Sequence, residues 1–284
     1  MRTYLECFPC FLNQALRAGR IATNDDSVTK RLLDEIGMML KEIPMDSSPP
    51  ETGRLIYKKI SEITGNNDPY KEIKRENTNT ALELYPALKK KIESSNDKLL
   101  TAIRMAVAGN VIDFGIDRKF NIETDIADIL SRDFAIYDYD EFKAGLTKTD
   151  KVLYLGDNAG EAVFDKILIE QIKKPVTYIV RDKPVINDAT YDDAVHAGID
   201  KVAPILSSGT DAPGTVLKTC SAEFIELYNN ANFIISKGQG NFEALSDEKR
   251  PIFFLLKVKC PVVANHLNVH EGDIIFKTAN LLNR

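Results

Sequence analysis

The chain reads as an α/β protein: a Rossmann-like, mostly parallel sheet with helices on both faces, preceded by an all-helical N-terminal domain. Three observations predict this. Through residues 3–116, apolar positions recur at helical spacing. From about residue 150, short β-rich apolar runs alternate with helical patterns, as βαβ units require. Polar residues and glycines then gather just after those runs, where ligands bind in open α/β sheets. The expected division is a helical domain over 1–121 and a Rossmann-like domain over 122–284.

In order, helical spacing covers residues 4–18 and 26–43, the second with Leu32, Leu33, Ile36, Met39 and Leu40 on one face. The Pro/Ser-rich segment 45–51 is a loop, and Pro49-Pro50 suits the first turn of a helix running to about Ile63. Residues 64–69 break the pattern, and long helical stretches follow over 70–94 and 98–114. A linking region, 122–146, holds two short helices flanking 134–137. Strands are predicted over 152–155, 176–180, 201–205, 233–235 and 262–264, with helices over 162–172 and 222–229. The run 253–258 fits a strand or a buried helix equally well.

Composition bounds the function. Of 284 residues, 44% are hydrophobic, ample for a packed core, and 28% are charged, as in soluble proteins. A net charge of -5 argues against a general nucleic-acid surface, while a local positive pocket for a phosphorylated ligand remains compatible with it. No apolar run approaches the roughly 18 residues of a membrane span, and no signal-peptide pattern opens the chain. Four cysteines make no disulfide framework in a chain this long, so a reducing cytoplasm is the expected compartment.

The chemistry is expected in KVLYLGDNAGE, residues 151–161. A buried strand ends at Gly156, and Asp157 and Asn158 follow before a helix begins. A carboxylate and an amide there are hard oxygen donors suited to Mg²⁺ or Mn²⁺; they equally suit a turn and a helix cap. Asp188 comes about 30 residues later, one βαβ unit on, so both acids can share one sheet edge. After the run 233–235, Lys237 with Gly238 and Gly240 reads as a phosphate cradle of N–H groups and an ammonium. Neither Walker A spacing nor a GxGxxG opening a helix is present, which disfavours P-loop and dinucleotide readings. Asn110 and Asp113 share a helix face, facing either solvent or the same cleft as Asp157. Cys7 and Cys10 form a CxxC with no second ligand pair and no adjacent βαβ unit, leaving packing, metal and redox roles open. His266 and His270 lack the Glu of HExxH, His196 stands alone, and no Ser/His/Asp order supports a triad.

Four segments, CFPC, AGNVIDFG, LGDNAGE with the later NDAT, and SKGQGNFE, together resemble the metal-dependent damage-control phosphatase family, long catalogued as domain of unknown function eighty-nine. The CxxC makes the chain most similar to the mainly prokaryotic branch carrying it, and the resemblance runs from Cys7 to about Gly272. It implies a helical domain packed on a Rossmann-like domain. It also implies a divalent ion (Mn, Co, Ni or Mg) on Asp157, Asn158 and Asp188, with Asp192 and Asp193 close enough to compete for the third place. Asn110, Asp113, Lys237 and Asn241 match positions lining the family's pocket. The implied activity is hydrolysis of phosphate monoesters of small metabolites, sugar phosphates or damaged cofactor intermediates. Asp157 and Asp113 would be catalytic, with Lys237, Gly238 and Gly240 offsetting phosphoryl charge. The rival expectation is a non-catalytic module binding a sugar phosphate or nucleotide. A Rossmann-like methyltransferase ranks lower, for want of a Gly-rich loop after the first strand. Sequence leaves the substrate, metal, oligomeric state and CxxC role open.

Overall fold

The computed structural model describes residues 1–109 and 130–279. The N-terminal part is helical as expected: α1 (Cys7–Ala22), α2 (Asp26–Leu40), α3 (Pro49–Thr64), α4 (Lys71–Glu93) and α5 (Lys98–Ala108). Local sequence explains the boundaries. The Asp25 carboxylate accepts from the Ser27 and Val28 amides to start α2. Ser48 and Glu51 form a capping box ahead of Pro49 in α3, and Gly65, at φ 71°, closes that helix. Asn110 and Asp113, the end of the predicted 98–114 helix and the first linker helix lie outside the described residues.

The remainder runs β1 (Phe134–Tyr137), α6 (Tyr139–Lys148), β2 (Val152–Leu155), α7 (Ala162–Ile172), β3 (Val176–Val180), α8 (Tyr191–His196), β4 (Ile205–Ser207), α9 (Ala222–Asn229), β5 (Ile234–Lys237), α10 (Gln239–Leu245), β6 (Ile252–Lys257), α11 (Pro261–Leu267) and β7 (Ile274–Thr278). Among the described residues these strands form one seven-stranded sheet, ordered β1-β7-β6-β5-β2-β3-β4. Every pairing is parallel except that of β6 with β7.

Several expectations need correction. Residues 262–264 are not a strand but the middle of α11, which Pro261 starts. A short apolar run is ambiguous by composition, and here packing against the sheet decides for helix. Consequently His266 sits within that helix rather than after a strand. Residues 199–201 are a 3-10 turn and β4 begins only at Ile205. Residues 134–137 and 274–278, not predicted as strands, supply β1 and β7, and the ambiguous 253–258 run is β6.

The sheet is buried on both faces, as parallel sheets are. Val152, Tyr154, Tyr178, Ile235, Phe253 and Phe276 enter one core with α4, α5 and α7. The alternate residues Leu153, Leu155, Ile179, Ile234, Phe254 and Ile275 enter a second with α1, α2, α3 and α10. The N-terminal helices thus divide between the two faces, and both cores join them to the sheet. No helix among the described residues is long and apolar enough to cross a membrane.

Strand order also locates the site. From β2 the chain moves to β3 and β4 on one side, then returns to β5 and β6 on the other. The reversal between β2 and β5 is a topological switch point, where a crevice opens outside the strands' carboxyl ends. Asp157 follows β2 there and Gly238 follows β5.

Candidate functional site

The β2–α7 and β3–α8 loops are tied together above the sheet. The Ala159 amide donates to the Asn187 carbonyl (2.9 Å), the Ala189 amide donates to the Asp157 carbonyl (2.7 Å), and Asn158 faces Asp188 in an isolated antiparallel bridge. This brings together the three residues expected to hold a metal. Asp157 and Asp188 are buried, 7% and 4% exposed, on the floor of a cavity of about 1000 Å³ that Asn158 also lines. The competing acids face elsewhere. Asp193 caps Thr190 and pairs with Lys74 (2.8 Å), and Asp192 is exposed outside the cavity lining.

Asn158 and Asp188 are each oriented by a partner the sequence reading gave no role. Glu161, 2% exposed, accepts from Asn158 Nδ2 at 2.6 Å, which leaves the amide oxygen of Asn158 as its donor toward the cavity. Arg181 at the end of β3 donates from Nε to Asp188 Oδ2 (2.7 Å), and its other nitrogens hold Thr215 (3.2 Å) and Asn241 (3.0 Å). Glu161 was legible only as the last letter of DNAGE, and Arg181 as the first charge after β3.

Lys237 and Asn241 are displaced from their expected role. Neither lines the cavity. The Lys237 ammonium is fully buried beneath the floor, donating to Asp165 (2.6 Å) and Glu161 (3.2 Å). An apolar strand end flanked by two carboxylates holds the lysine inside the protein, because separating the charges there is costly. Asn241 is a strut: its Oδ1 accepts from Arg181 and Thr215, and its Nδ2 donates to the Gly156 and Lys237 carbonyls. Gly240 does line the cavity, whereas the Gly238 amide is committed to the Leu255 carbonyl.

Gly238 has a different use. It sits at φ 78°, and a Cβ added there would fall 1.9 Å from Asp157 Oδ2. Only a bare backbone lets this carboxylate lie against the β5 loop. Gly238→Ala is therefore expected to displace Asp157 by an ångström or more and to lower kcat/KM by at least about 10²-fold. Steady-state kinetics alongside a melting curve check this, since a loss of folding alone would reduce the amount of folded enzyme and leave the kcat/KM of the folded molecules normal.

The electrostatics are acidic. Burial raises the Asp157 carboxyl well above the ordinary range, and the facing Glu161 and Asp188 raise it further, against Lys259 and Arg181. Burial also raises Asp188, with Arg181 opposing, and raises Asp165, with Lys237 opposing. Glu243 on the cavity wall is pushed up to about 7, again mainly by burial. In each case the folded protein holds its proton more tightly than the unfolded chain, so the stability this contributes is fully present below the unfolded carboxylate value and is lost as pH rises through the folded one. The metal-free protein is thus expected to melt at a lower temperature at pH 8 than at pH 5.5. Thermal unfolding across that range with a chelator present reads the slope directly.

The cysteines stay apart from the floor. Cys7, buried, opens α1, and Cys10 is exposed and accepts from Gln14 Nε2 (3.2 Å); both are free thiols. Burial pushes the Cys7 thiol up, opposed by the Tyr4 amide that donates to its sulfur, and the nearby Glu243 pushes it the same way as burial. Among the described residues no three His, Cys, Asp or Glu side chains converge into a metal-ligand set.

A Rossmann-like sheet carrying a buried carboxylate floor at its switch point defines the class: an α/β protein with an acidic, oxygen-rich ligand cavity. Residues 3–275 match the model of the damage-control phosphatase ARMT1-like domain, and the chain belongs to that family. It is 36% identical over 282 residues to a damage-control phosphatase of Pyrococcus horikoshii, covering 97% of each chain. It is 34% identical to a damage-control phosphatase of Archaeoglobus fulgidus, covering 95% of this chain and 97% of that one. The crystal structure of the same Pyrococcus horikoshii protein, described as a DUF89 family protein, superposes with a TM-score of 0.92 at 34% identity over 99% of this chain and 100% of that one.

Proposed function

We propose that the protein is a metal-dependent phosphatase hydrolysing phosphate monoesters of small metabolites, sugar phosphates or damaged phospho-metabolites. The observation that carries this is the carboxylate floor. Among the described residues, four buried acids, Asp157, Glu161, Asp165 and Asp188, lie with two buried cations that pair into them, Lys237 and Arg181, while the buried Lys74 is paired with Asp68 and Asp193 instead. A divalent cation restores the balance, and the donors suit a hard one. Asp157, Asp188 and the Asn158 amide would hold it, and so small a protein set fits an ion that keeps water and phosphoryl oxygens as its other ligands. Relatives named as damage-control phosphatases support the phosphatase part of this reading.

When bound, such an ion polarises a phosphoryl oxygen and lowers the pKa of water beside it. The chain's own residues set the geometry. Arg181 fixes the Asp188 carboxylate, Glu161 turns the Asn158 amide, and Lys237 and Asp165 hold Glu161 from below. The two tied loops keep Asp157 and Asp188 on one floor, an arrangement that needs little reorganisation when charge develops on phosphate. The deciding assay is phosphate release from an aryl phosphate with and without Mn²⁺, Co²⁺, Ni²⁺ or Mg²⁺. Turnover requiring added metal supports the reading; no turnover, or turnover indifferent to metal and chelator, sinks it.

A further inference from the structure

Four cationic side chains line the cavity, and two are already committed. Lys74 is buried and paired with Asp68 (3.1 Å) and Asp193 (2.8 Å), and Lys257 also has a partner. Arg17 on α1 and Lys259 after β6 differ: both are exposed in the cavity, and neither forms an ion pair among the described residues. Lys259 is anchored at the rim, its amide donating to Gln239 Oε1 at 2.8 Å. Gln239 follows Gly238, whose backbone lies against the Asp157 carboxylate, so Lys259 lines the cavity beside the carboxylate floor, and its charge favours the ionised forms of Asp157 and Asp188.

Arg17 marks a second pole. It lines the cavity together with Tyr57 and Tyr70, and its charge opposes the burial that raises both phenols. Tyr57, on α3, and Asp188 line that same cavity, so the Arg17 guanidinium and the carboxylate floor open into one space. With a divalent ion held by Asp157, Asn158 and Asp188, the excess acid of the floor would be offset, and Lys259 would be free to meet the phosphoryl group. A simple sugar phosphate offers the guanidinium of Arg17 only neutral hydroxyls, whereas its planar fork suits a carboxylate or phosphate.

We propose that the cavity takes a phosphate monoester carrying a second anionic group, a carboxylate or another phosphate, with Lys259 on the phosphoryl end and Arg17, beside Tyr57 and Tyr70, on the other. This rests on the phosphatase reading and names its substrate class.

The test uses matched ligands on the full-length, metal-loaded protein. 6-Phosphogluconate, which carries a carboxylate, is expected to show at least about 10-fold higher kcat/KM than glucose 6-phosphate, the scale of one charged hydrogen bond. Arg17→Met is expected to bring that ratio toward 1, while Lys259→Met lowers both values at least about 10-fold and leaves the ratio. Calorimetry with non-hydrolysable probes, 6-phosphonohexanoate against hexylphosphonate, reads binding without turnover. The wild type should bind the first at least about 10-fold more tightly, and Arg17→Met should erase the difference. Equal handling of each pair by the wild type, or a ratio unmoved in Arg17→Met, overturns the proposal. Both side chains are exposed, so unchanged melting curves separate these effects from misfolding. Aryl phosphate turnover distinguishes the two failures. If it proceeds while the ratios stay near 1, the second-anion inference alone falls; if it is absent with every metal, the phosphatase reading falls and the phosphonate pair still decides the cavity's two poles.

Discussion

Asp157→Asn is expected to abolish metal-dependent phosphate release, lowering kcat/KM by at least about 10³-fold, while making the metal-free protein more stable. The two effects have one cause. The carboxylate is buried and faces Glu161 and Asp188, so without a cation its charge is unfavourable and its proton is held tightly. Asparagine keeps the shape and removes that charge. At pH 8 the metal-free variant should melt about 2–4 °C above wild type, the shift that roughly 1 kcal/mol produces in a domain of this size. The advantage should shrink toward pH 5, where the wild-type carboxyl takes up its proton and the repulsion fades. Added Mn²⁺ should then raise the wild-type melting temperature and leave the variant's nearly unmoved. The loss of activity follows because several kcal/mol of charge stabilisation at the phosphoryl group depend on that ligand. A variant that melts lower than wild type in chelator, at pH 8, would show that Asp157 is a structural carboxylate with partners of its own, and the metal assignment would fail with it.

What was legible in the sequence follows from the range of the forces involved. The segments 162–172 and 222–229 were read to the residue, because helix boundaries and strand ends are set by near neighbours: the αL residue Lys173 ends α7, and Ser221 caps α9. That Asp157, Asn158 and Asp188 would come together was legible because loops one βαβ unit apart share a sheet edge. The misreadings all concern long-range choices. Residues 262–264 have strand composition but lie on a face that the second core covers as a helix. Residues 274–278 pair with β6 in the one antiparallel step, and nothing local announces that register. Lys237 looked like a phosphate ligand because a lysine between an apolar strand and a glycine is usually exposed. Its burial depends on Glu161 and Asp165, which lie more than 70 residues earlier. Arg17 and Tyr57 come from helices whose spacing alone marks them as ordinary amphipathic positions, and only their packing over the floor gives them a place in the cavity.

The buried lysine supplies the second large effect. Lys237→Met keeps the chain length of the side chain but strands Asp165 and Glu161 beneath the floor. Breaking a buried pair by removing one partner costs about 3–5 kcal/mol, so the melting temperature at pH 8 should fall by roughly 6–15 °C. Asp165 keeps two donors, the hydroxyls of Tyr154 (2.7 Å) and Tyr178 (2.8 Å), and burial already favours its protonated form. With the ammonium gone its carboxyl should rise further, so the folded variant binds an extra proton and its deficit should narrow as pH falls toward 5. Lys237→Met combined with Asp165→Asn removes one stranded charge and should recover much of the loss, a coupling that a double-mutant cycle measures directly. The damage also reaches the metal site. Glu161, no longer held from below, orients Asn158 less firmly, and metal affinity should weaken by about 10–100-fold, the usual consequence of losing an outer partner. A lysine that instead held substrate would give the opposite pattern: a melting curve within about 2 °C of wild type, unchanged metal affinity, and a raised KM.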